Sequence, residues 1–153
     1  MDLKAINDEC NKIIKYMNAK CDDFPNGACG ITSRLLAYVL QDRYNVSCLN
    51  IISAIMKQNP IQSHAWVWAD GYIFDLTISQ FNNCYGLNYP KVYISPNNKD
   101  FNELFDYNCY NSLVPIDEGE NEEIIAGYYQ ENNYEFRERV VIKVNYNGQD
   151  LED

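Results

Sequence analysis

The chain has 153 residues, of which 46% are hydrophobic and 22% charged, and its net charge is −10. This length and composition are typical of one globular domain and exclude a disordered chain. No apolar run approaches the roughly 20 residues that span a bilayer, so we expect no membrane partner. We expect a single domain over 1–149 and a flexible acidic tail at 150–153.

The acidic charge is concentrated in the last quarter of the chain. Residues 117–153 hold eleven acidic and three basic side chains, a net charge of −8. Phosphate backbones attract the opposite charge, so nucleic acid is excluded as an expected partner. A solvated surface is the simplest interpretation of this segment, and a docking surface for a basic protein is the alternative.

The six cysteines are interpreted as reduced thiols. The N-terminal segment lacks the apolar block and small-residue cleavage site of a signal peptide, so a cytoplasmic location is expected, with delivery out of the producing cell left open. No C-x-x-C pair occurs and there is one histidine, so the usual zinc patterns are missing and we expect neither metal nor cofactor.

Two helices are predicted first. Apolar residues at helical spacing predict an amphipathic helix over 2–20, and Pro25 with Asn26-Gly27 then predicts a turn. A second helix is predicted over 28–41, with Asn26 as its cap.

The rest of the chain is richer in strand signals. The segment 46–56 fits a buried strand or a short helix, while 61–77 predicts a hairpin closed by Asp70-Gly71. Further strands are predicted over 91–95 and 139–146, and a short helix over 122–130. The fold class is therefore α+β, with N-terminal helices packed on an antiparallel sheet.

The hairpin places two chemically useful residues together. A two-residue turn pairs Ala69 with Tyr72, which makes His64 and Asp75 diagonal neighbours on one face of the sheet. A three-residue loop would shift the register and send Asp75 to the opposite face. A carboxylate in this position orients an imidazole and stabilises its protonated form.

Cys29 is the candidate nucleophile for such a base. It lies near a helix start, where free N–H groups and the helix dipole favour a thiolate, and small residues, among them Gly30, leave its sulfur accessible. Taken singly, a cysteine on an apolar helix is usually a core residue and a lone histidine is usually structural. The conjunction of Cys29, His64 and Asp75 favours catalysis.

The stretches NGACGITSRLLAYVL and SHAWVWADGYIFDLT resemble the core of the transglutaminase-like superfamily, relatives of papain that include bacterial transglutaminase-like peptidases and the leader peptidases of lasso peptides. The resemblance covers about residues 24–81. It implies a papain-like core in which Cys29 is the nucleophile, His64 the general base and Asp75 the orienting carboxylate. The 153 residues are few for the related acetyltransferases, so coenzyme A is not expected as a cofactor.

The group that would stabilise the oxyanion is not identified by the resemblance. The backbone N–H of Cys29 is one candidate donor. Further candidates for the oxyanion or substrate site are Asn26, Gly30, Gln62 and Trp66, although Trp66 also fits the core.

The first hypothesis is a cysteine enzyme that attacks an amide or related acyl carbonyl in a protein or peptide, as a peptidase, amidase, deamidase or transglutaminase. An effector or toxin and a maturation peptidase both fit its size. The alternative is a non-catalytic acidic interaction protein on a degenerate papain-like fold. A thiol redox or metal sensor using Cys84 and Cys109 is the third hypothesis.

Overall fold

The computed structural model of the protein describes residues 1–107, 118–136 and 143–145. Helix α1 spans Leu3–Lys20, and Asp2 caps it by accepting a 3.0 Å hydrogen bond from the N–H of Ala5. Its apolar face is buried, as the spacing predicts. None of the helices in the described part of the chain is long and apolar enough to cross a bilayer.

Helix α2 spans Cys29–Tyr44 and begins without a side-chain cap. The prediction that Asn26 caps it is wrong, because the Asn26 amide turns back to Asp23, at 3.4 Å. The helix runs three residues beyond its predicted end and stops at Asn45, whose left-handed φ of 52° ends the helix.

The segment 46–56, for which the sequence left strand and helix open, forms strand β1 (Leu49–Met56). It is followed by β2 (Ser63–Ala69) and β3 (Tyr72–Asp75). Asp70 and Gly71 both have positive φ, as a type I′ turn requires. The turn pairs Ala69 with Tyr72 and Val67 with Phe74. The predicted hairpin register is therefore confirmed.

The sheet has the strand order β4-β3-β2-β1-β5, and β6 also pairs with β1. Strand β4 spans Tyr93–Ser95, shorter than predicted, and β5 spans Phe105–Asp106. Strand β6 (Lys143–Asn145) runs parallel to β1, so the expectation of a wholly antiparallel sheet is wrong at this strand. Because β5 covers only the end of β1, the edge further along remains open to β6.

Shorter helices and one long one complete the described fold. A 3₁₀ turn (Ile78–Phe81) leads into α3 (Asn82–Tyr85), and α4 spans Lys99–Leu104. Helix α5 spans Glu118–Glu131, longer than predicted and continuous through Gly127. Cys109, the tail 150–153 and much of the acidic segment 117–153 lie outside the described residues.

The two faces of the sheet bury different groups of side chains. One face packs on helix α2, through Ala65, Val67 and Phe74 among others, and α1 and α5 pack in turn on α2. The opposite face carries a largely aromatic cluster that includes Trp66 and Phe105. The protein thus combines helices with a mainly antiparallel sheet, and the hairpin strand β2 lies between both clusters.

Candidate functional site

His64 and Asp75 form a buried pair at the end of the hairpin. Nε2 of His64 lies 2.6 Å from Oδ2 of Asp75, and neither side chain is exposed by more than 1%. The other carboxylate oxygen, Oδ1, accepts hydrogen bonds from the N–H groups of Thr77, at 2.8 Å, and Ile78, at 2.9 Å. Asp75 is therefore held by the backbone turn that follows it, and its free oxygen points to the imidazole.

The strands separate where this pair forms. Strands β2 and β3 pair only as far as Val67 and Phe74, so Asp75 is no longer paired with β2. The imidazole of His64 is enclosed by aromatic rings, with centroid distances of 5.0 Å to Phe81 and 5.5 Å to Phe105. These contacts fix the plane of the ring, and the carboxylate fixes which nitrogen bears a proton.

Cys29 lies beside the His64–Asp75 pair, at the start of α2. Its half-buried thiol interacts with the imidazole of His64 and accepts a hydrogen bond from the N–H of Ala65. Because Nε2 of His64 is bonded to Asp75, the nitrogen left for the thiol is Nδ1. No described residue gives Nδ1 a hydrogen bond of standard geometry, so the contact with Cys29 is a loose one, as is common before a substrate binds.

The three side chains shift each other's protonation equilibria. Burial opposes the charged form of His64, but Asp75 and the Cys29 thiol outweigh it and raise the pKa of His64 to about 10. Burial also raises the pKa of Cys29, but the proximity and charge of His64, with the N–H of Ala65, lower it overall. The arrangement favours a thiolate beside an imidazolium, which is the reactive form of a cysteine nucleophile.

The residues predicted for the oxyanion or substrate site are not gathered around Cys29 as a group. Gly30 follows Cys29 in the first turn of α2 and is half-buried. Asn26 is exposed and bonded to Asp23, and exposed Gln62 interacts with the hydroxyl of Tyr85. Trp66 is only 1% exposed, so it belongs to the aromatic core rather than to a cleft wall.

Gln80 is a neighbour of the site that the sequence did not indicate. Its Oε1 accepts a 3.3 Å hydrogen bond from the N–H of Gly27, two residues before Cys29. It lies five residues after Asp75, in the 3₁₀ turn whose first residue, Ile78, donates its N–H to Asp75. In the sequence, the position of Gln80 five residues after Asp75 is the only sign of its role. That position indicates a place near the site only when the 3₁₀ turn is known.

The other cysteines have different surroundings. Burial raises the pKa of Cys10 to about 12, whereas Cys48 and Cys84 are exposed. Within residues 1–107, 118–136 and 143–145, no group of three Cys, His, Asp or Glu side chains is placed to hold a metal ion. In the described chain, Cys29 is thus the thiol that contacts an imidazole.

Comparisons with protein-family models, with curated proteins and with solved structures found no match.

Proposed function

We propose that the protein is a cysteine-nucleophile enzyme of the transglutaminase-like type, acting on an amide or related acyl carbonyl through a thioester on Cys29. The observation that carries the proposal is the 2.6 Å pair of His64 with Asp75, which lies close enough to the half-buried Cys29 thiol for the imidazole to lower its pKa. A papain-like core, in which a helix carries the nucleophile and two strands carry its partners, is part of the same proposal.

The reaction follows from the proton positions. The Cys29 thiolate adds to the carbonyl carbon, and the imidazolium of His64 then gives its proton to the departing amine. Asp75 stays ionised and stabilises the imidazolium without accepting the proton. Water, deprotonated by the neutral imidazole, next adds to the thioester and releases the acid.

Hydrolysis is favoured over transfer to a second amine, because the sequence marks no separate amine-binding site. The substrate is proposed to be a protein or peptide, since the thiol lies at a helix start and is only half-buried. A peptidase, an amidase and a glutamine deamidase share this chemistry. A maturation enzyme and an effector or toxin are the biological roles that fit it.

The test is a comparison of wild type with Cys29→Ala on protein lysates and peptide libraries. Cleavage adds the elements of water across a peptide bond, deamidation raises the mass by about 1 Da, and crosslinking removes ammonia; mass spectrometry separates the three. Activity in wild type and in the control Cys84→Ala, with none in Cys29→Ala, supports the proposal. Equal product with Cys29→Ala contradicts it.

A further inference from the structure

Gln80 connects the segment before the nucleophile with the turn behind the carboxylate. Its Oε1 accepts from the N–H of Gly27, at 3.3 Å. Its own backbone lies in the 3₁₀ turn that begins where Asp75 accepts from Ile78. The next residue, Phe81, packs edge-on against His64 at 5.0 Å. The side-chain amide of Gln80 is thereby fixed relative to all three members of the cluster.

The other end of this amide is unused. Nε2 of Gln80 is buried, and no described residue accepts a hydrogen bond from it. The orientation of the amide follows from its contact, because the N–H of Gly27 is a donor and must face the oxygen. A buried N–H without an acceptor is destabilising, because it has lost its hydrogen bonds to water without replacing them. An acceptor that arrives with the substrate would remove that cost.

We propose that Gln80 is a catalytic residue whose Nε2–H stabilises the oxyanion formed during attack on the carbonyl. This inference rests on the function proposed above. The second donor is the backbone N–H of Cys29, which lies in the first turn of α2, where N–H groups lack an intrahelical acceptor. Two donors of this kind form an oxyanion hole.

The electron count of the step is simple. The Cys29 thiolate forms a bond to the carbonyl carbon, and the π pair of the carbonyl moves onto its oxygen, which then accepts from Gln80 and from the Cys29 N–H. When the tetrahedral intermediate collapses, this pair re-forms the carbonyl and the bond to the leaving group breaks. The leaving group takes the proton of His64.

The polar side chains predicted for this role are occupied elsewhere. The amide of Asn26 is exposed and bonded to Asp23, and Gln62 is exposed beside Tyr85. Gln80 combines a buried, unpaired donor with a hydrogen bond to the segment that carries the nucleophile.

The test compares two reagents at Cys29. p-Nitrophenyl acetate acylates a thiolate through a tetrahedral oxyanion, whereas iodoacetamide alkylates it by direct displacement without one. Gln80→Glu keeps an oxygen for the Gly27 N–H and removes the donor, and Gln80→Met removes both groups at similar size. Gln130→Glu, at an exposed position of α5, is the matched control. Both rates are followed by mass spectrometry of the Cys29 peptide.

The ratio of acylation to alkylation rates is expected to fall about 100-fold in both Gln80 variants and to stay unchanged in Gln130→Glu. The alkylation rate reports any change in folding or thiolate content, so the ratio isolates the oxyanion. Unchanged ratios overturn the role of Gln80 and leave the proposed function standing. If wild-type Cys29 is alkylated but not acylated, the proposed function itself fails.

Discussion

Nε2 of His64 lies 2.6 Å from Oδ2 of Asp75, in surroundings that exclude water from both side chains. Asp75 presents this oxygen because its other oxygen accepts two backbone N–H groups, from Thr77 and Ile78. The carboxylate therefore has one orientation, and it places the proton of the neutral imidazole on Nε2. Nδ1 is then left as the base that faces Cys29.

This relationship predicts a large effect of Asp75→Asn on acylation. The backbone donors of Thr77 and Ile78 will hold the asparagine oxygen, so its NH₂ group will face Nε2 and force the proton of His64 onto Nδ1. The imidazole can then no longer take the proton of Cys29. We expect the acylation rate with p-nitrophenyl acetate to fall by about 10³–10⁴.

Asp70→Asn is the control for this substitution, because Asp70 is exposed in the hairpin turn and asparagine tolerates its positive φ of 49°. Circular dichroism shows whether both variants are folded. An Asp75→Asn variant that is folded and acylated at the wild-type rate would contradict the orienting role.

The lowered pKa of Cys29 predicts its selective alkylation. At pH about 6 an ordinary thiol is almost wholly protonated, whereas Cys29 retains thiolate because His64 stabilises it. Iodoacetamide should therefore modify Cys29 faster than the exposed Cys48 and Cys84, and Cys10, with its pKa of about 12, should react last. The rates are measured peptide by peptide by mass spectrometry.

The advantage of Cys29 should shrink as the pH rises toward 9, because the thiolate fraction of an ordinary thiol increases over that range. His64→Ala is expected to abolish it at every pH. Equal rates for Cys29, Cys48 and Cys84 near pH 6 would mean that the thiol is not activated.

The raised pKa of His64 predicts how stability depends on pH. Its folded-state pKa of about 10 exceeds the unfolded value of 6.5, so the stabilisation is complete below pH 6.5 and is lost as the pH rises through 10. Titration of Cys29 has the opposite sign, so the Cys29→Ala variant isolates the imidazole. Its free energy of unfolding in urea should decrease from pH 6.5 upward, and the slope should flatten when Asp75→Asn is added. If Asp75→Asn leaves the pH dependence of the free energy of unfolding unchanged, Asp75 is not the group that raises the pKa of His64.

The sequence predicts the local elements well and the connections between them less well. The Asp70-Gly71 turn determines the hairpin register, and the register brings His64 and Asp75 to neighbouring positions. Asn26 is a frequent helix-capping residue, yet a competing contact with Asp23 holds it outside the helix. The contact of Gln80 with Gly27 joins residues 53 positions apart, and no local pattern predicts it.

The parallel pairing of β6 with β1 is likewise not predictable from a local pattern, because it depends on how distant parts of the chain assemble. Which edge a late strand joins is decided by the space that β5 leaves on β1, and this is a property of the assembled sheet. Side-chain alternation predicts which face of a strand is buried, but not its neighbour.

Glu9 is the centre of a second buried polar cluster, which joins three helices. Its side chain is 4% exposed, and its carboxylate accepts hydrogen bonds from the hydroxyls of Tyr44, Tyr128 and Tyr134. Nε of Arg43 lies 3.5 Å away. Burial and the negative charge of Glu9 raise the pKa of Tyr44 and of Tyr128, so these hydroxyls remain protonated donors.

We expect Glu9→Ala to lower the free energy of unfolding by about 3 kcal/mol or more, because it removes a charged acceptor and leaves buried donors unpaired. Glu9→Gln should have a smaller effect, since its amide keeps one oxygen acceptor. Asp8→Ala is the control, because Asp8 is the exposed neighbour on the same helix and should change stability by less than about 0.5 kcal/mol. Urea denaturation measures all three. Glu9→Ala with a loss as small as that of Asp8→Ala would show that the tyrosine hydroxyls find other acceptors, and that the cluster does not hold α5 to α1 and α2.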